Sequence, residues 1–146
     1  MTATRALSSE VESLAEGLGG FSDRLKELLR RELLSAECTV TQARTLATLR
    51  SEGPLRLTDL AQLQQVTQPS MSILVARMEG RGLVQKRHDP DSPRATRVSI
   101  TGTGRALLDE LLARRSDVLR DRLEALSEEE LESLSAALPA LEKLCR

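Results

Sequence analysis

Apolar residues Leu7, Val11, Leu14, Leu18, Phe21, Leu25 and Leu28 recur at alternating steps of four and three. That is the seam of a helix lying along another helix. Ser9 and Glu12 have capping-box spacing and predict its start. Gly17, Gly19 and Gly20 each cost about 1 kcal/mol relative to Ala and predict a break or bend inside it. Thr41 is the expected N-cap of a second helix running to about Arg50, which Ser51-Glu52-Gly53-Pro54 stops. Leu55-Arg56-Leu57 alternates over too short a stretch for a helix and reads as a one-rung strand. Thr58 then caps a short helix over Asp59 to Gln64.

Thr67 caps the next helix, with Pro69 in a first turn where it removes no helical hydrogen bond. The helix runs through Met71, Leu74, Val75 and Met78 and stops near Gly80 and Gly82. Two short helices joined by a tight turn predict a helix-turn-helix. The weakly alternating runs 83–87 and 97–100 flank turn-forming residues 88–96 and predict a β-hairpin. Thr101 caps a long helix from about Gly104 to Ala125. Ser127 with Glu130 opens a final helix that carries Leu131, Leu134, Leu138, Leu141 and Cys145 on a seam and is kinked or cut short by Pro139.

Composition narrows the class. A chain of 146 residues with 40% hydrophobic positions supports one core, and no apolar run reaches membrane-spanning length, so a soluble globular protein is expected. The opening residues lack the apolar run of a secretory signal, and two distant cysteines make no disulfide framework. A cytoplasmic location with no membrane partner is therefore expected. With Phe21 as the sole aromatic residue, the core must be aliphatic and the protein mainly helical.

The net charge of −1 conceals a pattern: residues 1–40 sum to −2, residues 41–105 to +5 and residues 106–146 to −4. A basic middle between acidic ends suits a polyanion-binding module between non-binding arms. Arginine outnumbers lysine 18 to 3, which suits bidentate phosphate contacts. No nucleophile–base set, phosphate loop or metal-ligand cluster is visible, and the single His88 lies in a solvated loop. Neither catalysis, a metal nor a cofactor is expected.

Val40-Thr41-Gln42, Leu60-Ala61, Ser70-Met71-Ser72 and the run from Met78 to Arg87 resemble the MarR family, as do Asp89-Pro90, Arg94 and Ile100-Thr101-Gly102. The motif content covers roughly residues 40–105. Beyond them the ends match only as helices of suitable length and order. The resemblance implies a winged helix-turn-helix homodimer that binds palindromic promoter DNA, usually as a repressor, and is often released by a small ligand or an oxidant. The expected fold is mainly α with a small β-hairpin wing. Residues 1–38 would be an N-terminal dimerisation helix, 39–102 the DNA-binding region and 103–146 the C-terminal dimerisation helices, all in one integrated domain.

In this frame the helix opened by Thr67 is the major-groove reader, with Gln68, Pro69, Ser70, Ser72 and Ile73 towards bases or phosphates. Arg77 would clamp a phosphate, and Lys86 and Arg97 would hold the DNA backbone. By the resemblance, Arg94 is the wing arginine that enters the minor groove. The competing readings are that Gln68 and Ser70 only satisfy the helix terminus and that Arg77 pairs with Glu79 or Asp59. Leu7, Val11, Leu14 and Leu18, with Leu131, Leu134, Leu138 and Leu141, are the expected dimerisation residues.

Three positions depart from the family pattern. Ser92 stands where Asp is usual, implying a differently braced wing. Gln65 stands where Gly is frequent in the turn, and must avoid positive φ or bear strain. Ile73 stands where many members have Arg or another polar residue and offers apolar contact in its stead, as with a thymine methyl. A small-molecule effector would meet an aliphatic pocket with Arg24 or Arg31. Cys38 is a candidate redox thiol by the resemblance, although the one-cysteine sensors of the family use tyrosines absent here, and the alternative is a small buried residue. The rival function is a helical protein-interaction module with a degenerate winged domain.

Overall fold

The computed structural model describes residues 2–33, 38–90 and 92–145, with the side chains of these apart from 2–8, 33, 93 and 94. The first helix, α1, spans Thr2–Leu33. It begins seven residues before the expected Ser9 cap, so Ser9 lies within it, and it passes through Gly17, Gly19 and Gly20 without a break. A glycine weakens a helix but keeps every main-chain hydrogen bond, so intact turns on both sides carry the segment through. The last turns are pinned by Glu27, which accepts from Arg30 Nε at 2.7 Å and Arg31 Nε at 2.7 Å.

Helix α2 covers Val40–Glu52 and is capped by Thr39, two residues before the expected Thr41. Gln42 N donates to Thr39 Oγ1 at 3.3 Å, and Thr39 N donates to Gln42 Oε1 at 3.0 Å. This reciprocal box satisfies two donors that Thr41 could not. Strand β1 is Leu55–Arg56. Helix α3, Leu57–Leu63, starts earlier than expected, with Arg56 at the cap position and no side-chain cap, so Thr58 lies inside its first turn. Helix α4 spans Gln68–Gly80 from the Thr67 cap.

Strands β2, Val84–Asp89, and β3, Ser92–Ile100, extend well into the residues read as turn chemistry. The antiparallel sheet has the order β1-β3-β2. Leu55 pairs with Val98 and Val84 with Ile100, with an irregularity between His88 and Asp89. Strand β2 forms an outer edge, along which Gln85, Lys86, Arg87 and His88 are all exposed. Helices α5, Gly102–Leu123, and α6, Glu128–Leu144, follow with the expected Thr101 and Ser127 caps. Pro139 does not end α6. Proline removes only the bond to the Ser135 carbonyl, one of many in a helix of 17 residues.

The core is aliphatic, as the composition requires. Leu46 and Leu49 of α2, Leu60 of α3, Met71, Val75 and Met78 of α4, Val84 and Val98 of the sheet, and Leu108 of α5 form one buried cluster. Gly104 is what lets α5 close on the sheet: a Cβ there would overlap the Leu83 carbonyl oxygen and lie 3.0 Å from Ile100 Cγ1 and 3.1 Å from Leu46 Cδ2. The Leu83 carbonyl accepts from Thr101 N at 3.1 Å, and Thr101 Oγ1 donates to the Gly82 carbonyl at 2.6 Å while capping Gly104 N. One threonine thus ties the end of α4, the base of the hairpin and the start of α5.

The two arms are less covered. Arg114 of α5 donates to the Glu32 carbonyl at 3.2 Å, and Arg122 pairs with the Glu32 carboxylate at 3.7 Å, which fastens α1 along α5. Val11 is 64% exposed and Leu14 59%, and Leu131, Leu134 and Leu138 of α6 are exposed as well. Leu18 and Leu141 are half-buried, and the Leu7 side chain lies outside the described residues.

Candidate nucleic-acid interface

The turn between α3 and α4 is built on a residue that hydrophobic patterning passes over. Gln64 is buried. Its carbonyl accepts from Arg44 Nη2 at 2.5 Å, its Oε1 from Arg44 Nε at 3.4 Å, and its Nε2 donates to Thr48 Oγ1 at 3.4 Å. A buried amide is tolerated when its donors and acceptors are paired, and here the pairing locks the turn onto α2. Gln65 follows at φ 55°, in the left-handed region. The strain anticipated at this position is therefore present, and Val66 N closes the turn onto the Ala61 carbonyl at 3.1 Å.

The start of α4 is fixed by Thr67, whose Oγ1 accepts from Ser70 N at 3.3 Å and donates to Ser70 Oγ at 2.8 Å. Ser70 thus serves the helix terminus with its amide and its hydroxyl, while remaining exposed. Met71, Val75 and Met78 point into the core, so Pro69, Ser72, Ile73, Ala76 and Arg77 form the outward side, all exposed. Gln68 lines a recess of about 260 Å³ with Thr58, Ser92 and Thr96, so the first turn of α4 adjoins the hairpin. Among the described residues Arg77 makes no ion pair. The carboxylate of Glu79 is instead taken by Lys86, with Nζ–Oε2 at 2.7 Å and Lys86 N donating to Oε1 at 3.1 Å. These bonds hold the Glu79 carboxyl below the usual carboxylate range.

The hairpin is braced from within. The side chain of Asp89 in β2 is wholly buried and pairs with Arg56 of β1 at 2.5 Å and Arg97 of β3 at 3.2 Å. One carboxylate therefore cross-links all three strands. A buried ion is kept only when its partners offset its desolvation, which two guanidiniums do here. In the sequence, Asp89-Pro90 stands out only as turn chemistry and as part of the family resemblance, and Arg56 only as part of a minor strand. The expectation of a differently braced wing at Ser92 directs attention to this region without identifying the pair. Lys86 and Arg97, expected to hold DNA backbone, are thus both engaged in ion pairs within the protein. Arg94 belongs to β3, and its side chain lies outside the described residues.

Away from this face, Cys38 is 1% exposed. Burial pushes its thiol pKa up, partly opposed by the charge of Arg81, and its Sγ donates to the Thr39 carbonyl at 3.6 Å. A thiolate is therefore disfavoured there. Arg24 and Arg31 line a recess of about 550 Å³ beside Leu28 and Arg122. A second cavity of about 490 Å³ between α1, α2 and α5 has the more aliphatic wall, with Leu29, Val40, Ala43 and Leu111 joined by the ion pairs Lys26–Asp23 and Arg30–Glu27. No described helix is long and apolar enough to cross a membrane.

A helix-turn-helix whose second helix turns a continuous polar and apolar side outward, flanked by a braced antiparallel hairpin, defines a winged-helix protein of the nucleic-acid-binding kind. The model of the MarR family matches residues 38–96. The HTH-type transcriptional repressor MdtR of Bacillus subtilis (strain 168) is 28% identical over 93 residues, 64% of this chain and 60% of the repressor, so the match spans less than two thirds of that relative. The uncharacterized HTH-type transcriptional regulator Mb0904 of Mycobacterium bovis is 30% identical over 114 residues, covering 78% of this chain and 80% of that protein. A MarR family protein from Bacillus stearothermophilus, known by its structure, superposes with a TM-score of 0.76 at 26% identity over 94% of this chain and 96% of its own. The chain belongs to the MarR family of winged-helix transcriptional regulators.

Proposed function

We propose that the protein is a homodimeric repressor of the cytoplasm that binds palindromic double-stranded promoter DNA and is released by a small molecule. The observation that carries this reading is the outward side of α4: Gln68, Pro69, Ser70, Ser72, Ile73 and Arg77 are exposed together, and the only acidic residue of the helix, Glu79, is neutralised by Lys86. A helix without outward negative charge, set in a segment of net charge +5, suits the major groove. Arg77 is the phosphate contact of the helix and Arg94 the minor-groove contact of the wing.

The apolar seams of α1 and α6 support the homodimer, because Val11, Leu14, Leu131, Leu134 and Leu138 are exposed in a single chain. A two-fold axis through these arms would present two α4 helices to half-sites about one helical turn apart. The cavity between α1, α2 and α5 joins the arm to the winged part, so a ligand with an apolar body seated against Leu29, Val40, Ala43 and Leu111 would bias their relative position.

A footprint of the protein on the DNA flanking its own gene, with excess nonspecific competitor, tests the reading. A protected palindrome is the expected result. Arg77→Ala and Arg94→Ala should each weaken binding and reduce the salt slope by about one. Unchanged slopes would reject those two assignments. Binding that is blind to sequence and lost at moderate salt would reject the regulator in favour of a protein-interaction role. Leu14→Glu with Leu138→Glu should abolish the dimer, and an intact dimer would reject the seams.

A further inference from the structure

The outward side of α4 contains one residue that its own fold does not explain. Ile73 is 57% exposed, although each neighbouring large aliphatic residue of the helix is at least half-buried. It takes no part in the core cluster, whose α4 members are Met71, Leu74, Val75 and Met78. Pro69 lies one turn before it and Ala76 one turn after, so three apolar side chains follow one another along the exposed side. Ser72 and Arg77 flank this strip, and no charged residue occurs in α4 before Arg77.

The surroundings restrict what can cover the strip. The only acidic side chain of α4 is bound to Lys86, and Arg77, Arg81 and Arg87 are exposed nearby in the chain. Charge complementarity therefore favours a polyanion over an apolar protein surface. In the major groove of DNA, the C5 methyl of thymine is the apolar group that an unmodified base pair presents, and every other distinguishing group is a hydrogen-bond donor or acceptor. An isoleucine can neither donate nor accept. Opposite a polar base edge it would remove water without replacing its hydrogen bonds, whereas opposite thymine it gains a methyl contact.

Resting on the DNA-binding reading above, we infer that Ile73 is a specificity-determining residue that selects a thymine in each half-site through its C5 methyl group. Pro69 and Ala76 extend the same apolar wall. Arg77 fixes the register of the helix through phosphate, so that Ile73 meets the same base step in both halves of the site.

The test begins with recovery of preferred sites from a random duplex pool by the full-length protein. Each thymine of the recovered site is then replaced by deoxyuridine, which removes only the methyl group, and Kd is measured for the wild type and for Ile73→Ala. Ile73 is exposed, so the variant should fold, and its circular dichroism and oligomeric state check this. One thymine per half-site should show a loss of about three- to fourfold on demethylation with the wild type, or about tenfold when both halves are changed. With Ile73→Ala the same replacement should have little effect. A wild type indifferent to every demethylation, or a loss that persists undiminished in Ile73→Ala, would overturn the inference while leaving the DNA-binding reading intact. Failure to enrich any sequence would overturn both.

Discussion

Gly104 is the position at which a single added carbon should be felt most. Its Cβ would overlap the Leu83 carbonyl, with Ile100 Cγ1 and Leu46 Cδ2 at 3.0 and 3.1 Å closing the other sides. Main chain cannot swing aside as a side chain can, so Gly104→Ala must push α5 off the sheet or displace Leu83. Overpacking of this kind costs about 1–3 kcal/mol. Displacing the carbonyl also weakens its hydrogen bond from Thr101 N, worth about 1 kcal/mol. The better helix propensity of alanine returns at most about 1 kcal/mol. The net expectation is a destabilisation of about 1–3 kcal/mol, or a fall in Tm of roughly 3–10 °C for a chain of this size. Gly102, two residues earlier in the same helix, is the control, because a Cβ there meets nothing within 4 Å. Gly102→Ala should be neutral or slightly stabilising. Urea unfolding of both variants at one fixed protomer concentration gives the comparison. A Gly104→Ala protein as stable as Gly102→Ala would refute the close approach of α5 to the base of the hairpin.

Four further outcomes follow from the geometry. Gln65→Gly should stabilise the protein by up to about 1 kcal/mol in thermal unfolding, since φ 55° strains every residue with a Cβ. Thr67→Ala should cost about 1 kcal/mol of stability through the lost cap on Ser70 N, and should also weaken DNA binding by loosening the first turn of α4. A thiol reagent at neutral pH should modify the buried Cys38 only as the protein unfolds; prompt reaction would revive its redox reading. Arg30 and Arg31 hold the Glu27 carboxyl down to about 2 from 4.5. Because the folded value is the lower one, its contribution is complete above the unfolded pKa and lost as pH falls towards about 2. The end of α1 should loosen over that range by NMR, and a flat response would exclude the Glu27 pairing.

Legibility from sequence varied with the kind of physics involved. Element order was readable because apolar spacing and caps are local: Thr67, Thr101 and Ser127 each stand where the helix they cap begins. Thr41 misled for the same reason, since a hydroxyl at a plausible spacing does not reveal that a better pair, Thr39 with Gln42, lies nearby. The outward side of α4 was equally visible, being the complement of Met71, Val75 and Met78. The wing brace was not. Arg56, Asp89 and Arg97 come from three separate strands, 33 residues separate the first two, and only the register of the sheet brings them together. Gln64 escaped notice because its value lies in hydrogen bonds to Arg44 and Thr48 in another helix.

The exposed row Gln85-Lys86-Arg87-His88 along the outer strand has a consequence for solubility. An edge strand of six residues is a template for any extended chain, and here the Lys86 amide is already taken by Glu79 Oε1, which interrupts that template. Arg87 is exposed on this edge, and its charge on successive strands less than about 5 Å apart would repel, which disfavours adding a strand from a neighbour. The Glu79–Lys86 contact and the Arg87 charge together make this edge a poor template for a further strand. Replacing Arg87 by an apolar residue should make the edge a better template, seen as light scattering that grows with protein concentration.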